Sequence, residues 1–292
     1  MITSRYFSLL FLFLFLIAGF GNGRCQESDG QFSLLDRGMY FKSIILDPAE
    51  CQNYGGLLKL WDSEGKDEGI YIPVNIGFRQ SLARYDFNEK QGFEFGIEAA
   101  VFTQFTIKKV EANTYLGEME NTDYKLSFLL NYRYNSISLR ARAFHVSSHL
   151  ADDYILRNQI TSPNDGSLNY EQFDLTGSIQ KEYFRYYGGL GMVITPHAVR
   201  DRFSSQLGTF FRRPGNNPGF LRYIGGLDIK IFEQNDFTPN IRTGIGIELG
   251  PPEKTRLAFM IEYYNGHLPY STLEYKKVQW LGISAFILAT RK

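Results

Sequence analysis

This 292-residue chain predicts an all-β fold: an antiparallel transmembrane β-barrel of about 12 strands, made after cleavage of a signal peptide. Three observations carry that expectation. The chain opens Met-Ile-Thr-Ser-Arg and runs uncharged from Tyr6 to Phe20, a block shorter than the ~18 apolar residues of a spanning helix. Nothing after Phe20 is long and apolar enough to span as a helix, so the mature chain either stays out of the bilayer or crosses it as a closed barrel. Composition and alternation favour the barrel. Aromatic residues make up 16%, with 25 Phe and 19 Tyr against 2 Trp, and segment after segment shows one apolar and one polar face.

The leader is assigned to residues 1–23, with Gly21 and Gly23 as the small residues near the cleavage point. Residues 24–69 form an N-terminal segment with a candidate first strand, and residues 70–292 form the barrel. Arg24 precedes Cys25 where a lipidated cysteine needs a small residue, which argues against a lipoprotein. Cys25 and Cys51 are the only cysteines, and in an exported chain they are free to pair or not. Lys plus Arg and Asp plus Glu number 31 each, and a zero net charge excludes the basic surplus of a nucleic-acid binder.

Strands are expected near 70–86, 92–108, 124–134, 137–149, 170–182, 184–196, 204–212, 221–234, 238–249, 256–267 and 278–289. Phe93, Phe95, Ile97 and Ala99 alternate with Glu94, Gly96 and Glu98; Ile241, Thr243, Ile245 and Ile247 alternate with Arg242, Gly244 and Gly246. Single-chain bacterial barrels have even strand numbers, so the apolar run 39–46 is recruited as the twelfth. A soluble β-sandwich would alternate too, but the leader and polar faces rich in Arg, Glu, Asp and Lys weigh against it. Arg140, Arg142, Glu94 and Glu98 are expected to pair inside the lumen. Tight turns at Asn135-Ser136 and Tyr183-Phe184 mark the periplasmic side, and the long links 150–169 and 108–123 the outer side.

That orientation carries the motif Phe144-His145-Val146-Ser147-Ser148-His149-Leu150-Ala151-Asp152-Asp153 to the outer end of its strand. By alternation His145, Ser147 and His149 share the apolar, lipid-facing side. A serine hydroxyl needs a base to become a nucleophile, and a histidine two residues along the same face lies within reach. A third group must orient the imidazole, and Glu171, at the outer end of the next strand on the same face, is the candidate. The candidate catalytic set is therefore Ser147, His145 and Glu171. Asp152 and Asp153, with Asp165 nearby, are either solvated loop acids that bridge to lipopolysaccharide through ions or oxygen ligands for calcium; no other cofactor is expected. Asn265 and His267 belong to a strand on the opposite wall, and His197 beside Pro196 reads as a loop residue.

The His-x-Ser on a lipid-facing surface resembles the outer-membrane phospholipase A and lipid A 3-O-deacylase groups, which implies an ester hydrolase of membrane lipid. It departs from the phospholipase at Ser148, where that enzyme's motif continues with Asn. The motif, taken with Asn169-Tyr170-Glu171 and Tyr263-Tyr264-Asn265-Gly266-His267, resembles over most of the mature chain a bacterial family catalogued as domain of unknown function 1207. That family's usual His-x-Ser-Ser-His-Leu-Gly-Asp-Glu differs here at Ala151 and Asp153. The resemblance implies an exported outer-membrane protein, delivered by the outer-membrane assembly machinery, with no established activity. Two functions stay open: a lipid esterase or deacylase acting on outer-leaflet lipid or lipopolysaccharide, and a non-enzymatic barrel, channel or binding protein, whose motif is a hydrogen-bond cluster. Oligomeric state is not legible.

Overall fold

The computed structural model describes residues 30–111, 114–161, 167–195 and 200–288. The predicted leader, Cys25, Asp165 and His197 lie outside them. Thirteen antiparallel strands appear in chain order: β1 (Gln31–Leu34), β2 (Asn53–Asp62), β3 (Asp67–Asn88), β4 (Gln91–Glu111), β5 (Thr114–Tyr134), β6 (Ile137–Leu150), β7 (Ser167–Lys181), β8 (Phe184–Val193), β9 (Phe203–Pro214), β10 (Leu221–Phe232), β11 (Asn240–Leu249), β12 (Arg256–His267) and β13 (Lys277–Leu288). Each of β2 to β13 pairs with the next, and β13 closes on β2 through pairs such as Ile283 with Leu57. The result is a closed ring of twelve strands. The short β1 lies outside the ring's count, pairing with the part of β3 that runs on past the start of β2, as in Phe32 opposite Tyr85.

The wall is apolar outside and polar inside, the reverse of a soluble barrel. Ile76, Phe78, Leu126, Phe128, Leu207, Ile245, Ile261 and Ile283 face outward and are exposed, while Glu98, Ser127, Asn131, Arg140, Arg242 and Glu262 face inward and are buried. An exposed apolar belt around a closed sheet is what a lipid environment requires, since no backbone edge is left unpaired.

The twelfth strand is Asn53–Asp62, not the apolar run at 39–46. Residues 36–52 instead fold into the lumen as an irregular plug, with Phe41, Ile44 and Leu46 essentially inaccessible. At Gly77 the plug presses on the wall so closely that a Cβ would lie 2.7 Å from the Gln52 nitrogen and 2.9 Å from the Cys51 sulfur. Charges lock it in place. Glu50 accepts from Arg140 at 2.6 and 3.1 Å and from Arg142 at 3.3 Å, and Asp47 pairs with Lys230 at 3.1 Å. Arg142 and Glu98 pair directly at 3.2 Å, as the alternation implied, but Arg140 takes its partner from the plug and Glu94 takes Arg84.

The link 108–123 is not a long loop. β4 and β5 continue as a two-stranded ribbon to Glu111 and Thr114. The link after β6 holds a short helix α1 (Asp152–Arg157), tied to the ribbon by an Arg157–Glu118 ion pair and to the β12–β13 loop by a Tyr154–Tyr275 hydroxyl contact at 3.2 Å. That loop turns inward through the one-turn helix Ser271–Leu273, burying Tyr270 and Leu273 against Tyr71, Tyr264 and Trp280 and covering the outer end of the lumen. The tight turns at the end of the ring away from the motif include Asn135-Ser136, Glu89-Lys90 and, one residue earlier than expected, Glu182-Tyr183. With the lumen filled at mid-height and covered above, the refolded protein is expected to leave planar bilayers unconductive. Steady, ion-selective single-channel steps would show that the plug leaves an open path.

Candidate functional site

Strand β6 alternates cleanly through the motif. Phe144, Val146 and Ser148 are buried on the lumen side, and Ala143, His145, Ser147 and His149 form a column on the outside. Ser148 therefore belongs to the interior. Its hydroxyl donates to Asp123, and Thr272 N–H donates to it at 3.2 Å, which fastens the inward-turning loop. The outward column is available for other chemistry.

The site's neighbours follow from register. His145 lies directly opposite Leu126 on β5 and Glu171 on β7; Ser147 lies opposite Tyr124 and Asn169; His149 lies opposite Thr122 and Ser167. Directly opposed residues have Cβ atoms about 5 Å apart, close enough for side chains to bond. His145 Nδ1 accordingly meets Glu171 Oε1 at 2.8 Å. The carboxylate is held from its far side: the Thr195 hydroxyl donates to Oε2 and also accepts from the Glu171 N–H at 3.1 Å. With the carboxylate on Nδ1, that nitrogen carries the proton and Nε2 is left as the acceptor, the form a general base needs. The imidazole and carboxylate are about half exposed, at 48% and 45%.

Structure and sequence expectation differ at the serine. The Ser147 hydroxyl is bonded to His149 Nε2 at 2.8 Å rather than to His145. All three candidates, Ser147, His145 and Glu171, lie on one face and on adjacent strands, as His-Glu and Ser-His pairs side by side. Tyr124, whose ring centroid is 6.3 Å from that of His149, stands next to them.

The depth of the site in the wall is marked by its surroundings. Below Ser147 the outward surface is Leu126, Phe128 and Ala143; above it comes a polar row of Thr103, Thr122 and His149, and beyond that row Phe105 on β4 and Ile70 on β3 are apolar and exposed again. Tyr124 borders that polar row from the apolar side. From His145 and Ser147 an apolar cleft of about 370 Å³ runs across β5, β4 and β3, walled by Tyr124 and Leu126 on one side and Ile76 and Phe78 on the other, with Ala99 and Val101 between. Ala99 creates the space, because its row-mates Leu126 and Phe78 are large.

Asn265 and His267 on β12 are six strands from β6 in either direction round the ring, so they are not part of this site. Thr195 and the cleft were not foreseen. Thr195 follows β8 in irregular chain, where no periodicity predicts a side chain's direction. Asp152 and Asp153 head α1 and are exposed. Among the described residues no group of three or more His, Cys, Asp or Glu converges to hold a metal.

The fold has solved counterparts. The outer membrane phospholipase of Salmonella typhi, a dimer with bound calcium, aligns with a TM-score of 0.55 at 10% identity, covering 82% of this chain and 91% of that one. An active-site mutant of outer membrane phospholipase A from Escherichia coli aligns with a TM-score of 0.52 at 10% identity, covering 90% and 95%. At that identity the likeness is one of fold. A search of curated proteins returned no match. A family model, described as a protein of unknown function, matches residues 31–287, which takes in the plug, the ring and the His-Ser-Glu face, and the chain accordingly belongs to the DUF1207 family.

Proposed function

We propose that this barrel is an outer-membrane lipid esterase whose nucleophile is Ser147, with His145 as general base and Glu171 as the group that orients it. The supporting observation is placement. A carboxylate-held imidazole and a serine lie side by side on the outward wall, next to a row of polar side chains within the apolar surface. In this reading that polar row sits at the level of a lipid's ester bonds, between acyl chains and headgroups. A lumen-facing site would instead serve water-soluble esters.

The chemistry runs in two halves. As Ser147 Oγ bonds to the ester carbonyl carbon, its proton passes to His145 Nε2, and Glu171 stabilises the resulting imidazolium. The tetrahedral intermediate collapses, the carbon–oxygen bond to the alcohol breaks, and that alcohol takes the proton from His145. Water then attacks the acyl-Ser147 ester with His145 again as base, releasing a fatty acid and restoring the hydroxyl. The solved phospholipase dimer carries calcium, a cation that takes six to eight oxygen ligands. The described residues here offer only Asp152 and Asp153 as exposed neighbours on the chain after the motif, which does not fit a dedicated site within one chain, and no step is routed through the ion.

The test uses purified protein refolded in detergent and supplied with phospholipid and with lipid A, fatty acid release being followed by mass spectrometry. Release is expected. Its absence from folded protein would return the motif to a hydrogen-bond cluster in a non-enzymatic barrel. The cleft predicts selectivity as well: Ala99→Phe fills it, and kcat/KM for long-chain esters should fall about tenfold or more while short-chain esters react nearly as before, a methylene-by-methylene loss of apolar contact. Equal loss on both substrates would remove the cleft from the account.

A further inference from the structure

Ser147 stands midway in the outward column of β6, with one histidine two residues before it and another two residues after it, so both imidazoles are sterically placed to compete for one hydroxyl. Their partners differ. His145 is fixed through Nδ1 by Glu171, which Thr195 holds in turn, but it has no bond to Ser147. His149 has the bond to Ser147, yet among the described residues no carboxylate bonds to its ring; its neighbours there are the Tyr124 ring and the outward Thr122 and Ser167. The well-oriented base is thus without the nucleophile, and the nucleophile is held by a base without an orienting acid.

We propose that His149 is a positioning residue that parks the Ser147 hydroxyl in a resting rotamer, away from the His145–Glu171 pair, so that activation is a single χ1 rotation of Ser147 from one imidazole to the other. Staggered serine rotamers interconvert without backbone movement, so β6 stays paired on both sides. The inference rests on the esterase reading for its consequence but not for its geometry. In the parked form the Ser147 proton lies toward His149 Nε2; in the working form it lies toward His145 Nε2, where Glu171 can stabilise the charge that develops. Entry of an ester carbonyl above Ser147 would favour the second form, because only there does proton transfer meet an oriented acceptor.

Two measurements on the full folded chain test this. Imidazole nitrogen NMR of the protein in lipid nanodiscs reports the resting bond directly: Ser147→Ala should move the His149 Nε2 signal and leave that of His145 in place. Movement at His145 with none at His149 would overturn the parked state, whether or not the protein is an esterase. Turnover then reads the role. His149→Leu removes a single hydrogen bond that opposes activation, so kcat should rise roughly 2- to 10-fold with KM unchanged, and His149→Gln, which keeps an acceptor near the same place, should stay close to the parent. A merely structural His149 would give no gain in kcat on removal, and that result would overturn the proposal. If His149→Leu loses activity by orders of magnitude while His145→Ala retains it, His149 is itself the base and the parking role is wrong. Wild-type protein without esterase activity would overturn the functional reading, a result distinct from either of these.

Discussion

Replacing Ser147 by Ala is expected to lower lipid ester hydrolysis by at least ~10⁴-fold while leaving the barrel intact. Loss of the nucleophile from a triad costs orders of magnitude because the remaining members act only as a unit. The substitution is structurally mild: Ser147 faces outward and its one hydrogen-bond partner is the exposed His149, so no buried group loses a partner. Glu171→Gln should cost roughly 10²- to 10⁴-fold, since an amide leaves the geometry but no longer favours the imidazolium. Unaltered heat-modified gel mobility beside lost activity would separate chemistry from folding. A Ser147→Ala protein that hydrolyses lipid at the parental rate would place the nucleophile elsewhere.

The second large effect concerns the plug. Glu50 is fully buried and accepts from both Arg140 and Arg142, with Arg79 at 4.0 Å. Glu50→Ala leaves Arg142 with Glu98 and Asp174 and Arg79 with Glu98, but takes from Arg140 the one acid paired with it among the described residues. Removing one partner of a buried ion pair costs about 3–5 kcal/mol, because the charge left behind is uncompensated. Denaturant unfolding in detergent should show a loss of that size, with residues 36–52 becoming open to protease. Replacing Glu50 and Arg140 together by Leu should recover a large part of it, since burying two charges also carries a cost. A Glu50→Ala protein as stable as the parent would mean that the plug is held by its apolar contacts at Phe41, Ile44 and Leu46.

Much of the wall was legible from alternation, and its gaps have physical causes. Strand β2 does not stand out in the sequence because its inward face is Tyr54, Leu58 and Leu60, packed against plug and loop, so it lacks the polar face that marks its neighbours. The apolar run at 39–46 imitated a strand for the converse reason: its side chains are buried by the lumen rather than by lipid. The outer part of the β4–β5 ribbon reads as loop in the sequence because Lys108, Lys109, Glu111, Glu118 and Glu120 crowd charge into it and break the apolar alternation.

At the site, the common outward face of His145, Ser147 and Glu171 follows from period two alone, and so does the inward turn of Ser148. The direct opposition of His145 and Glu171 does not, because a long link between β6 and β7 leaves register open. Whether Ser147 turns to His145 or to His149 is a rotamer choice between two equally spaced neighbours, which no sequence pattern encodes.

The most direct test of a lipid-facing nucleophile is covalent capture. Folded protein in mixed micelles would be treated with a long-chain alkyl phosphonofluoridate, digested and mapped by mass spectrometry. One adduct is expected, on Ser147, formed far more slowly in His145→Ala and blocked by Ala99→Phe when the alkyl chain is long. An adduct on another residue, or unmodified Ser147 in protein shown to be folded, would contradict that expectation.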